Sequence, residues 1–381
     1  MSKYIYVGLD VHKESIVIAW CRGGRGDQVY DYGKVSGSVT NLERVLRKLA
    51  KREGFEFKRL RVCYEAGPCG YVIYRRLTAL GLECAVVVPN LIPSKAGERV
   101  KTDRRDARKL CQMHRWGELT LVVPPDVADE RMRDLVRARA DAVRSTRTSR
   151  QQLGGFLLRH GIIYPGKTQW TVGHMRYLRE LSLDDPQQKA VLEEYLIANQ
   201  MGEERITRLE QHMLTHLADW KRKVLVEALM GLRGFRITNA MVVVAELGDP
   251  CRFKSPEALM NYLGLVVSEY STGKRRRPGG ITKTGNAHAR RALIEAAWAY
   301  RLSPKVNKEL SLRLEKAPDY IRPISWKAQN RLHHKYRRMV AKGKPSQKAT
   351  VAVARELAGF IWSVFDVIHR NEAVAKQQEA A

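Results

Sequence analysis

Acidic residues are the scarce charge in this chain: 40 Asp+Glu stand against 68 Lys+Arg, a formal net charge of +28. Such an imbalance creates a long-range field that draws in polyanions, and nucleic acid is the usual one for a soluble chain. Charge alone does not separate DNA, RNA and an anionic membrane surface. Long hydrophobic runs are also missing. No stretch reaches the roughly 18 uninterrupted apolar residues of a membrane span. The opening Met1-Ser2-Lys3-Tyr4 passes into a strand-like segment without a signal-peptide design. These absences predict a cytoplasmic protein with no membrane partner. Cysteines are few: Cys21, Cys63, Cys69, Cys84, Cys111 and Cys251 include no CxxC pair, which excludes a zinc ribbon and a disulfide framework. They read as reduced, packed side chains.

With 44% hydrophobic and 28% charged residues, the chain has the composition of a folded protein. Its 381 residues suggest two or three units at about 150 residues each. From Tyr4 to Trp116 strand-like runs alternate with helical spacing. Tyr4 to Leu9, Ser15 to Trp20 and Gln28 to Val35 read as a meander. Helices over Val39 to Lys51, Gly70 to Leu80 and Asp103 to Trp116 are interleaved with strands over Leu60 to Tyr64 and Glu83 to Val88, an α/β domain. Two charged segments with apolar residues at three- and four-residue intervals, about Ala128 to Gly155 and Pro186 to Ala228, predict long helices, an antiparallel or intermolecular coiled coil broken at Gly161 to Gly166. Gly231-Leu232-Arg233-Gly234-Phe235, followed by an apolar helix, resembles a helix-hairpin-helix element, although any tight helix-helix turn reads similarly. The glycine-rich basic stretch Gly273 to Gly280 reads as a loop before a helix over Asn286 to Tyr300, and the tail from Asn371 as a fraying end. The predicted division is 1–125, 126–228, 229–345 and 346–381.

Carboxylates fall at informative places. Asp10 ends the first apolar run, Glu65 ends the Leu60 to Tyr64 strand, and Asp103 and Asp106 sit three apart at a helix start, on one face. Four converging carboxylates repel one another unless cations neutralise them, and hard oxygen ligands suit Mg²⁺ or Mn²⁺. Paired ions of that kind promote phosphodiester cleavage. The plainer reading makes Asp103 a helix-start charge, Asp106 a solvated partner of Arg105 or Arg108, and Asp10 and Glu65 turn residues. Six cations around the aspartate pair, Arg99, Lys101, Arg104, Arg105, Arg108 and Lys109, favour the metal site, because a nuclease needs metal ligands inside a phosphate-attracting segment. His12 and Lys13 either touch a phosphate or are solvated.

Ser268-Glu269-Tyr270-Ser271-Thr272-Gly273 places hydroxyls directly before Lys274, Arg275, Arg276 and Arg277. Serine is a weak nucleophile at neutral pH and needs a base or metal to take its proton and positive charge to hold the phosphate. Chemistry alone favours a Ser/Thr-Gly turn leading into a solvated phosphate-binding loop over a nucleophile. Thr282, Lys283, Asn286, His288, Arg290 and Arg291 extend the polar surface and predict contacts to a nucleic-acid backbone.

Gly8-Leu9-Asp10-Val11-His12-Lys13, Tyr64-Glu65-Ala66-Gly67, Lys101-Thr102-Asp103-Arg104-Arg105-Asp106-Ala107, Glu269-Tyr270-Ser271-Thr272-Gly273 and Gly280-Ile281-Thr282-Lys283-Thr284-Gly285-Asn286 together resemble the DEDD transposases of the IS110 insertion-sequence family. The motifs run in family order from residue 8 to about 300. The resemblance implies an RNase H-like, RuvC-type N-terminal domain, a coiled-coil linker and a mainly α C-terminal transposase domain. It further implies a recombinase guided by a non-coding bridge RNA that pairs with donor and target DNA. In it, Mg²⁺ is held by Asp10, Glu65, Asp103 and Asp106, and a serine attacks DNA to form a 5′-phosphoserine. The family's Ser-Ser-Gly is Ser-Thr-Gly here, which carries the nucleophile to Ser271 and leaves Ser268 as the second candidate. Also implied are a dimer to tetramer, with a composite site shared by protomers, and action at the bacterial nucleoid. A RuvC-like, structure-selective nuclease using only the acids and water stands as an alternative, as does a non-catalytic nucleic-acid scaffold.

Overall fold

Runs of β-branched and apolar residues between turn residues build the first three strands, β1 (Ile5–Val11), β2 (Ser15–Arg22) and β3 (Tyr30–Ser36). The computed structural model describes residues 3–24, 26–93, 102–272, 275 and 277–379. Its chain divides into two units, Met1–Pro124 and Pro125–Ala381. In the first, the three strands form an antiparallel meander. Helix α1 (Val39–Glu53) buries Leu42, Val45, Leu46 and Leu49, the i, i+3, i+4, i+7 face that its sequence predicts. It stops where Gly54 turns left-handed at φ 75.

Strand β4 (Leu60–Glu65) then runs parallel to β1, and after α2 (Val72–Ala79) strand β5 (Glu83–Val87) runs parallel to β4. Helix α3 (Asp103–Trp116) spans the residues predicted, between the Thr102 cap and the left-handed Gly117. A two-residue strand, β6 (Leu121–Val122), pairs antiparallel with β5 and is too short to leave a periodic signal. The sheet order is β3-β2-β1-β4-β5-β6.

Both faces of the central strands are covered, so β1 and β4 read as near-continuous apolar runs. On one face Ile5, Val7, Leu9, Leu60, Val62 and Tyr64 pack with α1 and α2. On the other, α3 lies against the sheet through Ala107, Leu110 and Cys111. Truncating any one of the fully buried leucines to Ala would cost about 2–5 kcal/mol.

The second unit begins with α4 (Val127–Arg159), followed by α5 (Val172–Glu180) and α6 (Pro186–Leu217). Helices α4 and α6 pair antiparallel within the chain. Arg139 meets Glu210, Arg150 meets Glu203, and Asp129 at the start of α4 receives Trp220 and Arg222 from beyond the end of α6. The expected break at Gly161 to Gly166 is real, but the connection also holds α5, started by the Thr171 cap. The second long helix stops at Leu217 rather than running to Ala228, and α7 (Lys223–Met230) restarts after the buried Trp220.

Helices α8 (Ile237–Leu247), α9 (Pro256–Tyr262), α10 (Ala287–Ala297), α11 (Lys308–Lys316), α12 (Ile321–Ala341) and α13 (Ser346–Glu379) complete the unit. Of the segment read as a loop, Pro278 to Gly280 lie in a strand, β8 (Pro278–Ile281), which pairs antiparallel with β7 (Val267–Glu269); Gly273, Lys274 and Arg276 lie outside the described residues. The tail from Asn371 is helical as far as Glu379, because Ala, Glu, Gln and Lys are strong helix formers.

Glu246 of α8 ties this unit together. It is fully buried, accepts hydrogen bonds from Arg137 of α4 at 2.7 and 2.9 Å, and accepts one from Asn286, the cap of α10, at 2.7 Å. Burial alone would raise its pKa, but the Arg137 and Asn286 hydrogen bonds and the nearby Arg133 hold it below the usual carboxylate range.

Candidate metal centre and serine hairpin

The approach of α3 to β1 builds the acidic site. A side chain on Gly8 would place its Cβ 2.3 Å from the Ala107 carbonyl oxygen and 2.4 Å from the Cys111 nitrogen, so only glycine lets the helix lie this close. Side chains alternate along β1, so Asp10 faces α3 as Gly8 does. Leu9 pairs with Tyr64, which puts Asp10 and Glu65 one residue beyond the same rung at neighbouring strand ends. Glu65 shares the face of Cys63, whose thiol donates to the Leu110 carbonyl of α3.

Asp103 at the start of α3 and His12 just beyond β1 complete a close group with Asp10. His12 Nε2 lies 3.2 Å from Asp10 Oδ2 and 3.6 Å from Asp103 Oδ1. One ligand atom from each of the three lies within 4.8 Å of the others. Glu65 and Asp106 do not belong to that tight group. Asp106 nevertheless faces the same field, since burial pushes the Asp10 carboxyl up, His12 opposes this, and the charges of Asp103 and Asp106 push it further up. The Asp10 side chain is 18% exposed against 52% for Asp103, so the site runs from a half-buried floor to an open rim. The sequence alone allows His12 either a phosphate contact or solvent. In the folded protein its ring bridges two acids.

The surrounding cations are partly committed. Arg104 and Arg108 both bond to Asp31 of β3, and that pairing outweighs the cost of burial and holds the Asp31 carboxyl below its ordinary range. Arg105 donates its backbone N–H to Thr102 Oγ1. Lys101 lies outside the described residues.

Ser271 sits beyond β7 where the hairpin narrows. Tyr270 N–H donates to the Arg277 carbonyl, and Thr272 and Arg275 exchange backbone hydrogen bonds, so the ladder continues past the strands. The Ser271 hydroxyl donates to Glu269 Oε1 at 2.6 Å, and its oxygen accepts the Arg277 N–H at 3.2 Å. Ser268 is occupied differently: its hydroxyl donates to the Gly280 carbonyl across the hairpin at 3.0 Å. Glu269, whose role no motif in the sequence signals, therefore touches the candidate nucleophile. Lys274 and Arg276 lie outside the described residues; Arg275 and Arg277 are exposed.

Downstream, Lys283 adopts φ 56, an uncommon conformation for a non-glycine residue and one that concentrates at functional sites. Arg290 donates to the Leu263 carbonyl at 2.9 Å, and Arg291 pairs with Glu295. Asn286, expected on a nucleic-acid backbone, points inward to Glu246 and caps α10. The turn of 231–235 bonds inward as well, with the Gly231, Leu232 and Phe235 N–H groups all donating to carbonyls of the preceding residues.

Acids gathered at strand ends beside a basic helix start suit chemistry on a phosphodiester, and similarity of sequence defines the class as DNA transposases. Residues 7–162 match the family model of the DEDD transposases, and residues 226–310 match the one described as Transposase IS116/IS110/IS902 family. A Sinorhizobium fredii protein bearing the name transposase y4qE is 45% identical over 359 residues, covering 94% of this chain and 88% of its own length. The transposase for insertion sequence element IS1533 of Leptospira borgpetersenii is 29% identical over 355 residues, 90% of this chain and 99% of its own. The chain belongs to the IS110 family of insertion-sequence transposases and is a DNA transposase. The DEDD match implies an RNase H-like fold for the first unit, in keeping with its mixed sheet, and the second unit is mostly helical. It also implies a divalent metal, and the site fits one, since Asp10 and Asp103 present carboxylate oxygens, hard ligands for such a cation, within reach of a common point. No described helix is long and apolar enough to cross a membrane.

Proposed function

We propose that this transposase cleaves and rejoins DNA through Ser271, with Asp10, Glu65, Asp103 and Asp106 as the ligands of Mg²⁺, or of Mn²⁺. The observation that carries the reading is the meeting of Asp10 and Asp103 around one point at the end of β1, with Glu65 on the adjoining strand end. When bound there, the cation neutralises the acids and polarises the phosphate. Ser271 Oγ attacks the phosphorus, the bond to the 3′ oxygen breaks, and the DNA 5′ end is held as a phosphoserine. Its hydroxyl's hydrogen bond to a carboxylate supports Ser271 over Ser268, whose hydroxyl is spent inside the hairpin.

In this reading residues 1–125 are the RuvC-like nuclease domain and 126–228 a coiled-coil linker for dimerisation. Residues 229–345 are the serine-bearing domain, with a helix-hairpin-helix-like element, and 346–381 the C-terminal helix. The family resemblance supplies a bridge RNA that pairs with donor and target DNA, a tetramer in which acids and serines of different protomers serve one phosphodiester, and a place at the nucleoid. The +28 charge suits such a load of polyanions. Lys101, Arg104, Arg105, Lys274, Arg275, Arg276, Arg277, Lys283, Arg290 and Arg291 are the proposed nucleic-acid contacts. The left-handed Lys283 is the best placed, since its exposed side chain is presented by a turn whose glycines allow no Cβ: one at Gly285 would lie 2.0 Å from the Tyr262 carbonyl.

The test recovers RNA that copurifies with the full-length protein and incubates the complex with DNA bearing the element's ends and Mg²⁺. Cleavage that needs Mg²⁺ and fails in Asp10→Asn supports the metal site. Unchanged cleavage in that variant removes it.

A further inference from the structure

We propose that Glu269 is the general base for Ser271, accepting the hydroxyl proton as Oγ attacks DNA; the assignment rests on Ser271 being the nucleophile.

Three features carry it. Glu269 ends β7 and Ser271 follows two residues on, where the hairpin ladder continues through Tyr270–Arg277 and Thr272–Arg275, so strand alternation puts their side chains on one face. An ionised carboxylate can only accept, so the 2.6 Å contact is a hydrogen bond that Ser271 donates along the line of proton transfer. Serine oxygen has two acceptor positions. The Arg277 N–H occupies one at 3.2 Å, which leaves the other lone pair free to attack. Ser268, in the same hairpin, gives its proton to a backbone carbonyl, which cannot take it.

The step balances without an oxidant or reductant. The Oγ–phosphorus bond forms as the phosphorus–3′-oxygen bond breaks, the serine proton moves to Glu269, and the departing 3′ oxygen takes a proton from water. On rejoining, a 3′ hydroxyl loses its proton to water and attacks the phosphorus, Oγ departs, and Glu269 returns a proton to it. One carboxylate therefore serves both directions, first as base and then as acid.

The experiment uses the full-length protein with its copurified RNA and a duplex of the element's end whose scissile 3′ oxygen is replaced by sulfur. A thiolate leaves without needing a proton, so the rate of covalent adduct formation reads nucleophile activation. Glu269→Gln, with unchanged circular dichroism, is expected to form adduct about 10²-fold more slowly and to lose the rise with pH that marks carboxylate ionisation. Ser271→Cys supplies a nucleophile that is more acidic than serine, so in that background Glu269→Gln should cost little more. A wild-type rate and pH profile in Glu269→Gln, or an equal loss at every pH and with cysteine, would overturn the base. Adduct persisting in Ser271→Ala would overturn the nucleophile itself, a separate result.

Discussion

The acids and the serine are held in opposite ways. Asp10 and Glu65 end central strands covered on both faces, and Asp103 heads a helix that touches the sheet through the only residue type β1 can place there. Ser271 stands near the tip of a two-stranded hairpin with exposed residues on either side. Such a hairpin is marginal alone. Metal ligands must be fixed to within fractions of an ångström, whereas a nucleophile that first attacks and then releases DNA gains from a mount that can follow its substrate. The contrast teaches that substitutions near the acids should register in both stability and chemistry, and substitutions at the serine in chemistry alone.

The largest expected effect is at Asp10. Asp10→Asn should lower DNA cleavage roughly 10³-fold, yet raise the melting temperature of metal-free protein at neutral pH. The sign follows from the raised carboxyl pKa: a folded state that resists ionisation loses stability as pH climbs through that pKa, and asparagine removes the loss. A fall in melting temperature would break the picture of a strained acid cluster. Next comes Glu246→Ala, which removes the buried carboxylate that Arg137 of α4 and Asn286 at the start of α10 share. Denaturant unfolding should show about 3–5 kcal/mol lost, and a loss below about 1 kcal/mol would contradict its role as the tie within the second unit.

Gly8→Ala should cost about 1–3 kcal/mol by forcing α3 off the sheet, with cleavage lost alongside; a stable, active variant would show that the close approach is dispensable. A smaller effect belongs to His114, whose pKa burial holds down at about 4, with Arg61 adding to the shift. Below pH 6.5 the unfolded chain binds a proton that the folded one refuses, so stability should fall from pH 6.5 toward 4. His114→Phe should flatten that slope in an acid titration of melting temperature. Smallest of all, Ser271→Ala should change unfolding free energy by no more than about 0.5 kcal/mol.

Much of the acid end was legible in the sequence because strand-end carboxylates follow apolar runs and α3 is bracketed by Thr102 and Gly117. The bridging of Asp10 and Asp103 by His12 was not, since it depends on where α3 comes to rest over β1. The hairpin was hidden because its second strand, Pro278–Ile281, holds a proline and two glycines where β-branched residues would announce a strand. Without the hairpin, the alternation that joins Glu269 to Ser271 had no meaning. Asn286 looked like a surface group because composition cannot distinguish a polar side chain that meets DNA from one that satisfies a buried glutamate.

The most direct measurement is mass spectrometry of the protein after reaction with its copurified RNA, DNA of the element's ends and Mg²⁺. A nucleotide attached to the peptide containing Ser271, absent from Ser271→Ala, is the predicted result. DNA cut by Ser271→Ala with no protein attached would contradict it and leave a nuclease that works with its acids and water alone.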